Sequence, residues 1–487
     1  MNDEEVAAPP SPILMVVSMM LVLGSFFVIA WKMAAPVANT DTFFHLRLGA
    51  EFLNGWSPRD PGSVSSFATG DWVPSQWLGQ IGLAAFEEWF GLPGVAWLSG
   101  TIILLLLLAI FLVNRAESSL LVAAVLLPIT ALGCAPALSA RPQVLSYLFT
   151  LLTVWAWLRT QRTGRVAWWL VPMTWLWAMV HGMWVVSVIT SLVAIAGLLL
   201  ARTQGRPPLW KLALVPALSL LAAGLTPVGP AIYGAVIRVG SISKYYGEWG
   251  PTEFTKPATA FVAGMLVLLL LITLRSGPVD WLRLMLTLLG AGWLAYSNRT
   301  VPIAAVTLAP LLAGAMAQVL PRRRPSRAEV PLAVGGFLAT VAGLALVVPH
   351  TSEPPPRGPN ELTEAVDALP AGTGVLNEWD EGGYDMWLHP QLDFVMHGYG
   401  DMFTDAELER NFGLLTLQPG WDDDLRDLGV THALLYNDGK LKYALVEQLG
   451  WEELVVEEPA TATTDDKAQD EERLLSLLVA PDDWPTQ

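Results

Sequence analysis

Residues Ser11 to Trp31 read SPILMVVSMMLVLGSFFVIAW, and residues Asn39 to Gly49 read NTDTFFHLRLG. The first stretch carries no charge and, at about 1.5 Å per residue, is long enough to cross the roughly 30 Å hydrocarbon core of a bilayer as one helix. The second sets a carboxylate (Asp41), an imidazole (His45) and a guanidinium (Arg47) at the mouth of that helix, ahead of a polar loop that runs to Trp77. Ionisable groups at membrane depth are costly, so their presence points to function, most simply to work on a substrate that arrives in the membrane.

The rest of the chain repeats the first pattern. It is 53% hydrophobic and 15% charged, with a mean hydropathy of +0.45, too apolar for an ordinary soluble protein of this length. Apolar segments recur near 11–32, 93–113, 118–134, 142–159, 166–181, 183–201, 209–226, 258–274, 280–296, 301–319 and 330–349, about eleven spans in all. The fifth and sixth, split only by His181-Gly182, also read as a tight hairpin turning near one membrane face. The first span lacks a basic leader and a small-residue cleavage site and is read as a retained helix.

Basic residues orient the chain. With the N-terminus cytoplasmic, the inside loops hold Arg115, Arg159, Arg162, Arg165, Arg202, Arg206, Lys211, Arg275, Arg283, Arg322, Arg323, Arg324 and Arg327. The opposite loops are longer in total yet hold only Arg47, Arg59, Arg141, Arg238, Lys244, Lys256 and Arg299. The positive-inside rule then puts the Asp41 loop and the C-terminal region outside.

The expected organisation is a membrane domain over 1–350 with a large first external loop (34–92), a linker over 351–372, and an external α/β domain over 373–487. Pro354-Pro355-Pro356-Arg357 reads as stiff. Strands are expected at Gly374–Asn377, Asp393–Met396, His432–Tyr436 and Leu474–Val479, with Glu452–Val456 completing the alternation. Helices are expected at Asp405–Phe412, Asp423–Leu428 and Leu441–Leu449, and a flexible polar loop at Thr461–Glu472.

The net charge of −16 comes mainly from acidic residues after Thr351. Without a basic patch interleaved with aromatics, nucleic acid is not an expected partner. A single cysteine, Cys134, excludes an internal disulfide and a cysteine-rich metal site; its apolar surroundings suit plain packing. Trp72, Trp77, Trp89 and Trp97 read as interfacial belt residues.

With this orientation, separate polar motifs fall on one external surface: Asp41 and His45, four apart and on one face if helical; Arg141-Pro142-Gln143; His181-Gly182; Glu248-Trp249; and Asn298-Arg299. Two carboxylates, two arginines and two histidines at one water–lipid boundary suit a phosphorylated lipid substrate. The blander reading gives Arg141 and Arg299 a snorkelling role toward headgroups, His181 a satisfied interfacial role, and Glu248-Trp249 an anchoring role.

Asp41-Thr42-Phe43-Phe44-His45-Leu46, followed by Gly49, Asp60-Pro61, Ser65, Trp72-Val73 and Gln76-Trp77-Leu78, resembles the first external loop of bacterial polytopic proteins in the C-type glycosyltransferase (GT-C) superfamily. Arg141-Pro142-Gln143, Trp177 to Gly182, Glu248-Trp249 and Asn298-Arg299 are similar to further blocks of one branch, as is Glu381-Gly382-Gly383-Tyr384 in the C-terminal region. The resemblance implies a polyprenyl-phosphate-linked sugar donor, an extracytoplasmic glycan, lipid or protein acceptor, and an acidic catalytic residue in the first loop, here Asp41. The chain departs from the pattern in three places. Asp41 has no Asp-x-Asp partner, Gln76 stands where a glutamate is expected, and His397 stands where an acid is expected.

On this reading Asp41 acts as base with His45 orienting the acceptor, while Arg141, His181, Glu248 and Arg299 bind substrate. A divalent cation held by Asp41 with Glu248 is a further option for which two distant acids are thin support. Two rivals are a non-enzymatic membrane scaffold or lipid-binding component of envelope glycan assembly, and a transporter. The transporter is disfavoured because the carboxylates gather at one face, not at mid-span, and no inverted repeat of broken helices is apparent.

Overall fold

The computed structural model describes residues 11–201, 207–275, 277–320, 326–352, 360–457 and 474–485. Arg202, Arg206, Arg322 to Arg324, the Pro354 to Arg357 stretch and the Thr461 to Glu472 loop lie outside the described residues.

Thirteen helices precede the sheet region: α1 (Pro12–Met33), α2 (Thr40–Leu53), α3 (Trp77–Glu117), α4 (Leu120–Cys134), α5 (Gln143–Thr163), α6 (Leu170–Val180), α7 (Val185–Leu200), α8 (Leu209–Gly224), α9 (Ile232–Ile242), α10 (Pro257–Arg275), α11 (Trp281–Tyr296), α12 (Val301–Val319) and α13 (Glu329–Thr351). Each of the eleven apolar segments is therefore helical, and the chain is a polytopic membrane protein. Among the described residues seven helices are long and apolar enough to cross a membrane, or eight if the pair Leu209–Gly224 and Gly229–Tyr245, bent by 113°, is one broken span. α6 and α11 are shorter, and α5 is diluted by Arg159, Gln161 and Arg162.

α12 is buried along most of its length and packs against α3, α4, α5, α10 and α11, which makes it the central post of the bundle. α6 and α7 form a hairpin. Thr174 and Ser187, on either side of the His181 turn, bond through their hydroxyls at 2.8 Å. Cys134 is fully buried against α12, in a packing role.

Several loop expectations change. Residues 34–92 are not one extended loop, because α2 and the first half of α3 are helical. α3 breaks at Gly91, whose φ of +64° and ψ of −164° suit a residue without Cβ, two residues before Pro93. Trp72 is buried, its indole donating to the Gly62 carbonyl at 3.0 Å, so it is no belt residue; Trp89 remains exposed.

The opposite end of the bundle is fastened by charge. Glu117, fully buried, meets Arg162 at the end of α5 and Arg283 at the start of α11, each at 2.6 Å. Arg115 meets Glu329 at 2.5 Å. Residues of the inner loops in the sequence reading thus share one end of the bundle.

After α13 come α14 (Glu361–Asp367), β1 (Gly374–Asn377), α15 (Gly382–Leu388), β2 (Asp393–Phe394), α16 (Asp405–Thr416), α17 (Trp421–Leu428), β3 (His432–Tyr436), α18 (Lys440–Leu449), β4 (Glu452–Val456) and β5 (Leu475–Val479). The sheet runs β2-β1-β3-β5-β4. β1 pairs parallel with β2 and β3, whereas β5 pairs antiparallel with β3 and β4. α14 falls inside the segment expected to be linker; Leu362 and Val366 bury its inner face against the sheet region. α15 was not expected, since its Gly382-Gly383 start reads as a turn.

This region shares a core with the first loop. Phe44, Leu48 and Phe52 of α2 and Trp72 cluster with Val375, Phe394, Tyr399 and Phe403. Polar stitches reinforce the contact: Ser65 Oγ donates to the Phe394 carbonyl at 2.6 Å, Ser66 N to Asp393 at 3.0 Å, and Thr69 Oγ1 to Glu407 at 2.6 Å. Glycines permit closer approach. A Cβ on Gly383 would fall 2.7 Å from the Thr40 carbonyl.

Candidate functional site

α2 begins right after the turn that follows α1, and Asp41 lies in its first turn, where the helix dipole favours a negative charge. Asp41 Oδ2 accepts from Arg141 Nη1 at 2.5 Å. Arg141, just ahead of α5, also donates through Nε to Ser139 Oγ at 3.1 Å. The Gln143 carbonyl, in the amide orientation that satisfies both its ends, takes a further bond from Arg141 Nη2 at 2.6 Å. The guanidinium is thereby held in one orientation, 12% exposed, beside a carboxylate that keeps 36% exposure.

His45, one turn after Asp41, is 3% exposed, and Gln80 Nε2 approaches its Nδ1 at 3.3 Å. Burial, then the positive charge of Arg141, with smaller effects from His181 and Arg299, holds its pKa well below the ordinary value, so the ring is neutral near pH 7. With Nδ1 accepting from Gln80, the ring proton sits on Nε2.

His181, also 3% exposed, occupies the extended break between α6 and α7. Its Nδ1 accepts from Met183 N at 3.4 Å and lies 3.0 Å from Ser146 Oγ. Ser146 Oγ receives the Trp177 indole proton at 2.7 Å, so its own proton points to His181. This tautomer again leaves Nε2–H as a donor.

Glu248, in a 3-10 turn at Gly247–Trp249, is ion-paired with Arg299. The Arg299 guanidinium also lies 5.1 Å from the centre of the Trp249 ring. Thr300 and Ser297 cap one another ahead of α12, and Asn298 accepts from Glu253 N at 3.0 Å, which ties the Glu248 loop to this helix start.

All six residues, Asp41, His45, Arg141, His181, Glu248 and Arg299, line one cavity of about 220 Å³. Its remaining wall includes Gln76 and residues that the sequence did not single out: Tyr246, Trp379, Asp380, Tyr399 and Asp401. Gln76 thus faces the cavity as a neutral amide where the family pattern has an acid. His397 is buried against Phe403 at 4.6 Å and does not line the cavity. Four residues on, Asp401 does. Burial pushes the Asp401 carboxyl up to about 6 even though Arg238 and Arg299 pull it down. Nothing local in the sequence marks Asp401, because only folding brings it into the cavity that Asp41 lines.

A second cavity of about 250 Å³ shares Arg141, Gln143, Glu248 and Arg299 with the first and reaches toward the bundle past Tyr147, Ala137 and Pro302. Beyond it, α4, α10 and α12 form an apolar groove of about 360 Å³ lined by Leu126, Ile129, Phe261, Met265 and Leu268.

A divalent cation between Asp41 and Glu248 does not suit this arrangement. Each carboxylate is already neutralised by a guanidinium, and among the described residues no group of three or more His, Cys, Asp or Glu is placed to hold a metal. Hard cations need several oxygen ligands.

No family model matches the sequence, and no curated protein matches it. Solved structures do. The Archaeoglobus fulgidus oligosaccharyltransferase in its apo form superposes with a TM-score of 0.51 at 11% identity, over 87% of this chain and 69% of that one. The fold is GT-C-type. The same archaeal enzyme, tethered by a disulfide to an acceptor peptide containing the NVT sequon, gives 0.52 at 13% identity over 86% and 69%. Mycobacterial arabinofuranosyltransferase AftD gives 0.48 at 15% identity over 97% of this chain and 42% of its own, an overlap too loose to carry an argument. At these identities the GT-C-type likeness concerns fold alone.

Proposed function

We propose that this protein is an integral membrane glycosyltransferase that moves a sugar from a polyprenyl-phosphate-linked donor to an extracytoplasmic glycan, lipid or protein acceptor. The observation that carries this reading is one cavity lined by two arginines, two neutral histidines and four carboxylates, two of them paired with the arginines, that connects through a second cavity toward an apolar groove. The surrounding assignment follows the sequence: a membrane domain over 1–350, an external domain over 373–487, and a cytoplasmic N-terminus by the positive-inside rule.

In this mechanism the donor phosphate takes hydrogen bonds from Arg141 and Arg299, which turn toward it from Asp41 and Glu248. His45 and His181 add neutral Nε2–H donors. Asp41, released from Arg141, accepts the acceptor's proton as the acceptor atom attacks the anomeric carbon. The sugar–phosphate bond breaks with its electrons on the phosphate, leaving a polyprenyl phosphate whose charge the arginines stabilise. A phosphate leaving group needs little acid assistance, so a carboxyl pair of the hydrolase kind is not required. The reaction inverts the anomeric centre.

The rival scaffold reading draws on one observation: both carboxylates are already ion-paired, a resting network that needs no substrate. Purified protein in lipid nanodiscs, given polyprenyl phosphates that carry mannose, glucose or arabinofuranose, separates the two. A transferase releases free polyprenyl phosphate from at least one of them. A scaffold that binds all three without turnover would overturn the proposal.

A further inference from the structure

One wall of the cavity belongs to the sheet region, and its residues differ in kind from the arginine wall. Trp379 stacks on Phe403, with centroids 5.9 Å apart and planes at 30°, and leans against Tyr246 at 5.8 Å. Trp379, Tyr246, Tyr399 and Asp401 all face the cavity. The loop from Gly398 to Asp401 is pressed against the catalytic side. A Cβ on Gly398 would fall 3.3 Å from Asp41 Oδ1, and one on Gly400 would overlap the Tyr246 hydroxyl.

The carboxylates of this cavity are not equivalent. Asp41 is held by Arg141 and Glu248 by Arg299. Arg238, the other cation near Asp401, is committed to Asp405 and to the Phe403 carbonyl. Among the described residues no group donates a hydrogen bond to the Asp401 carboxylate. A half-buried carboxylate without a donor, beside aromatic rings, suits a ligand that brings hydroxyl donors and apolar C–H faces together. That is the chemistry of a sugar ring.

We propose that Trp379 and Asp401 form the acceptor subsite, and that the acceptor is a carbohydrate whose hydroxyl donates to Asp401 while its ring packs on Trp379. This rests on the transferase reading for the reaction, but sugar binding is measurable without turnover. The aromatic wall positions the ring and Asp401 fixes one hydroxyl, so that a neighbouring hydroxyl faces Asp41 across the cavity. A peptide acceptor can offer a hydroxyl to Asp401 but not the apolar C–H face of a pyranose ring that Trp379 would stack on.

The probes are neutral di- and trisaccharides of the manno, malto and galacto series, added to the full-length protein in nanodiscs while tryptophan emission is read. At least one series should bind saturably. Asp401→Ala and Trp379→Ala should each weaken it at least tenfold, with unchanged thermal unfolding. Asp401→Asn, which fits the same space if the alanine variant misfolds, should weaken it less. Binding should also fade as pH falls through about 6, as Asp401 takes up a proton, and this limb should vanish in Asp401→Asn. The charged and titratable groups around Asp401 are Arg238, Arg299, Tyr246, Tyr399, Asp380, His45, His181, Glu248 and the paired Asp41.

In turnover, Asp401→Ala should raise the acceptor KM by a larger factor than it lowers kcat. Saccharide binding equal in wild type and Asp401→Ala, or binding only of a hydroxyl-bearing peptide, would overturn the subsite. A wild type that binds saccharide yet never turns over a donor would count against the transferase reading while leaving the sugar site standing.

Discussion

Arg141 and Asp41 stand one hundred residues apart in sequence and 2.5 Å apart in space. A contact this close between α2 and the start of α5 makes the carboxylate unavailable as a base until something else occupies the guanidinium. A phosphate is the natural competitor, since arginine matches carboxylate and phosphate with the same forked geometry. On the proposed transferase reading, donor binding and activation of the base are one event.

Asp41→Asn keeps the shape and an acceptor for Arg141 but removes the base. Transfer should fall by about 10²–10⁴, the usual range for such catalysis, with normal expression and unfolding temperature. Asp41 lies within the first turn of α2 and is not its cap, so no capping bond is lost. Wild-type turnover in the Asn variant would remove Asp41 from the mechanism. His45→Ala should cost less, because an orienting group is partly replaced by water.

Arg299→Lys keeps the charge and loses both the fork and the packing over Trp249. The apparent Kd for a polyprenyl phosphate should rise about tenfold or more, and the lysine variant should not rescue an Arg299→Ala defect. Equal affinity in the two proteins would mean that Arg299 only snorkels.

Glu117→Gln removes the anion shared by Arg162 and Arg283 at the far end of the bundle. Losing one partner of a buried ion network costs about 3–5 kcal/mol. Because Arg162 keeps 40% exposure and can turn to solvent, the lower end is expected. Thermal unfolding in detergent should drop, while residual activity per folded molecule stays unchanged. An undiminished unfolding temperature would show that the two guanidinium groups find other partners.

Topology is open to labelling. In a Cys134→Ala background, cysteines at the exposed positions Thr255 and Asp438 should react with an impermeant maleimide from outside intact cells, and cysteines at Arg165 and Arg327 only after permeabilisation. The reverse pattern would place the cavity on the cytoplasmic side and remove the external acceptor.

What the sequence revealed was what depends on nearby residues. Apolar runs mark the eleven apolar helices, seven or eight of them long enough to cross a membrane, because burial in lipid acts residue by residue, and Asp41 with His45 share a face because helical spacing is local. β1, β3 and β5 are short apolar runs bounded by turn residues and were readable for the same reason. The 41-residue α3, the bend between α8 and α9, and α14 inside the expected linker were not. Their shapes are set by partners far along the chain. Asp401 and Trp379 escaped notice because their place in the cavity that Asp41 lines is decided by backbone approach at Gly383, Gly398 and Gly400, which leaves no periodic trace.

The join between the first loop and the sheet region also has a consequence for biosynthesis. Ser65 must wait for Phe394, 329 residues downstream, before its hydrogen bond can close. Every membrane helix has left the ribosome by then. The nascent chain therefore matures in two stages, an inserted bundle with an open-sided basin first and a closed chamber only when its far wall has folded and docked. A half-made copy sitting in the bilayer would carry Asp41 and both arginines yet lack the wall that Trp379 and Asp401 supply, so the cavity is complete only in the finished chain.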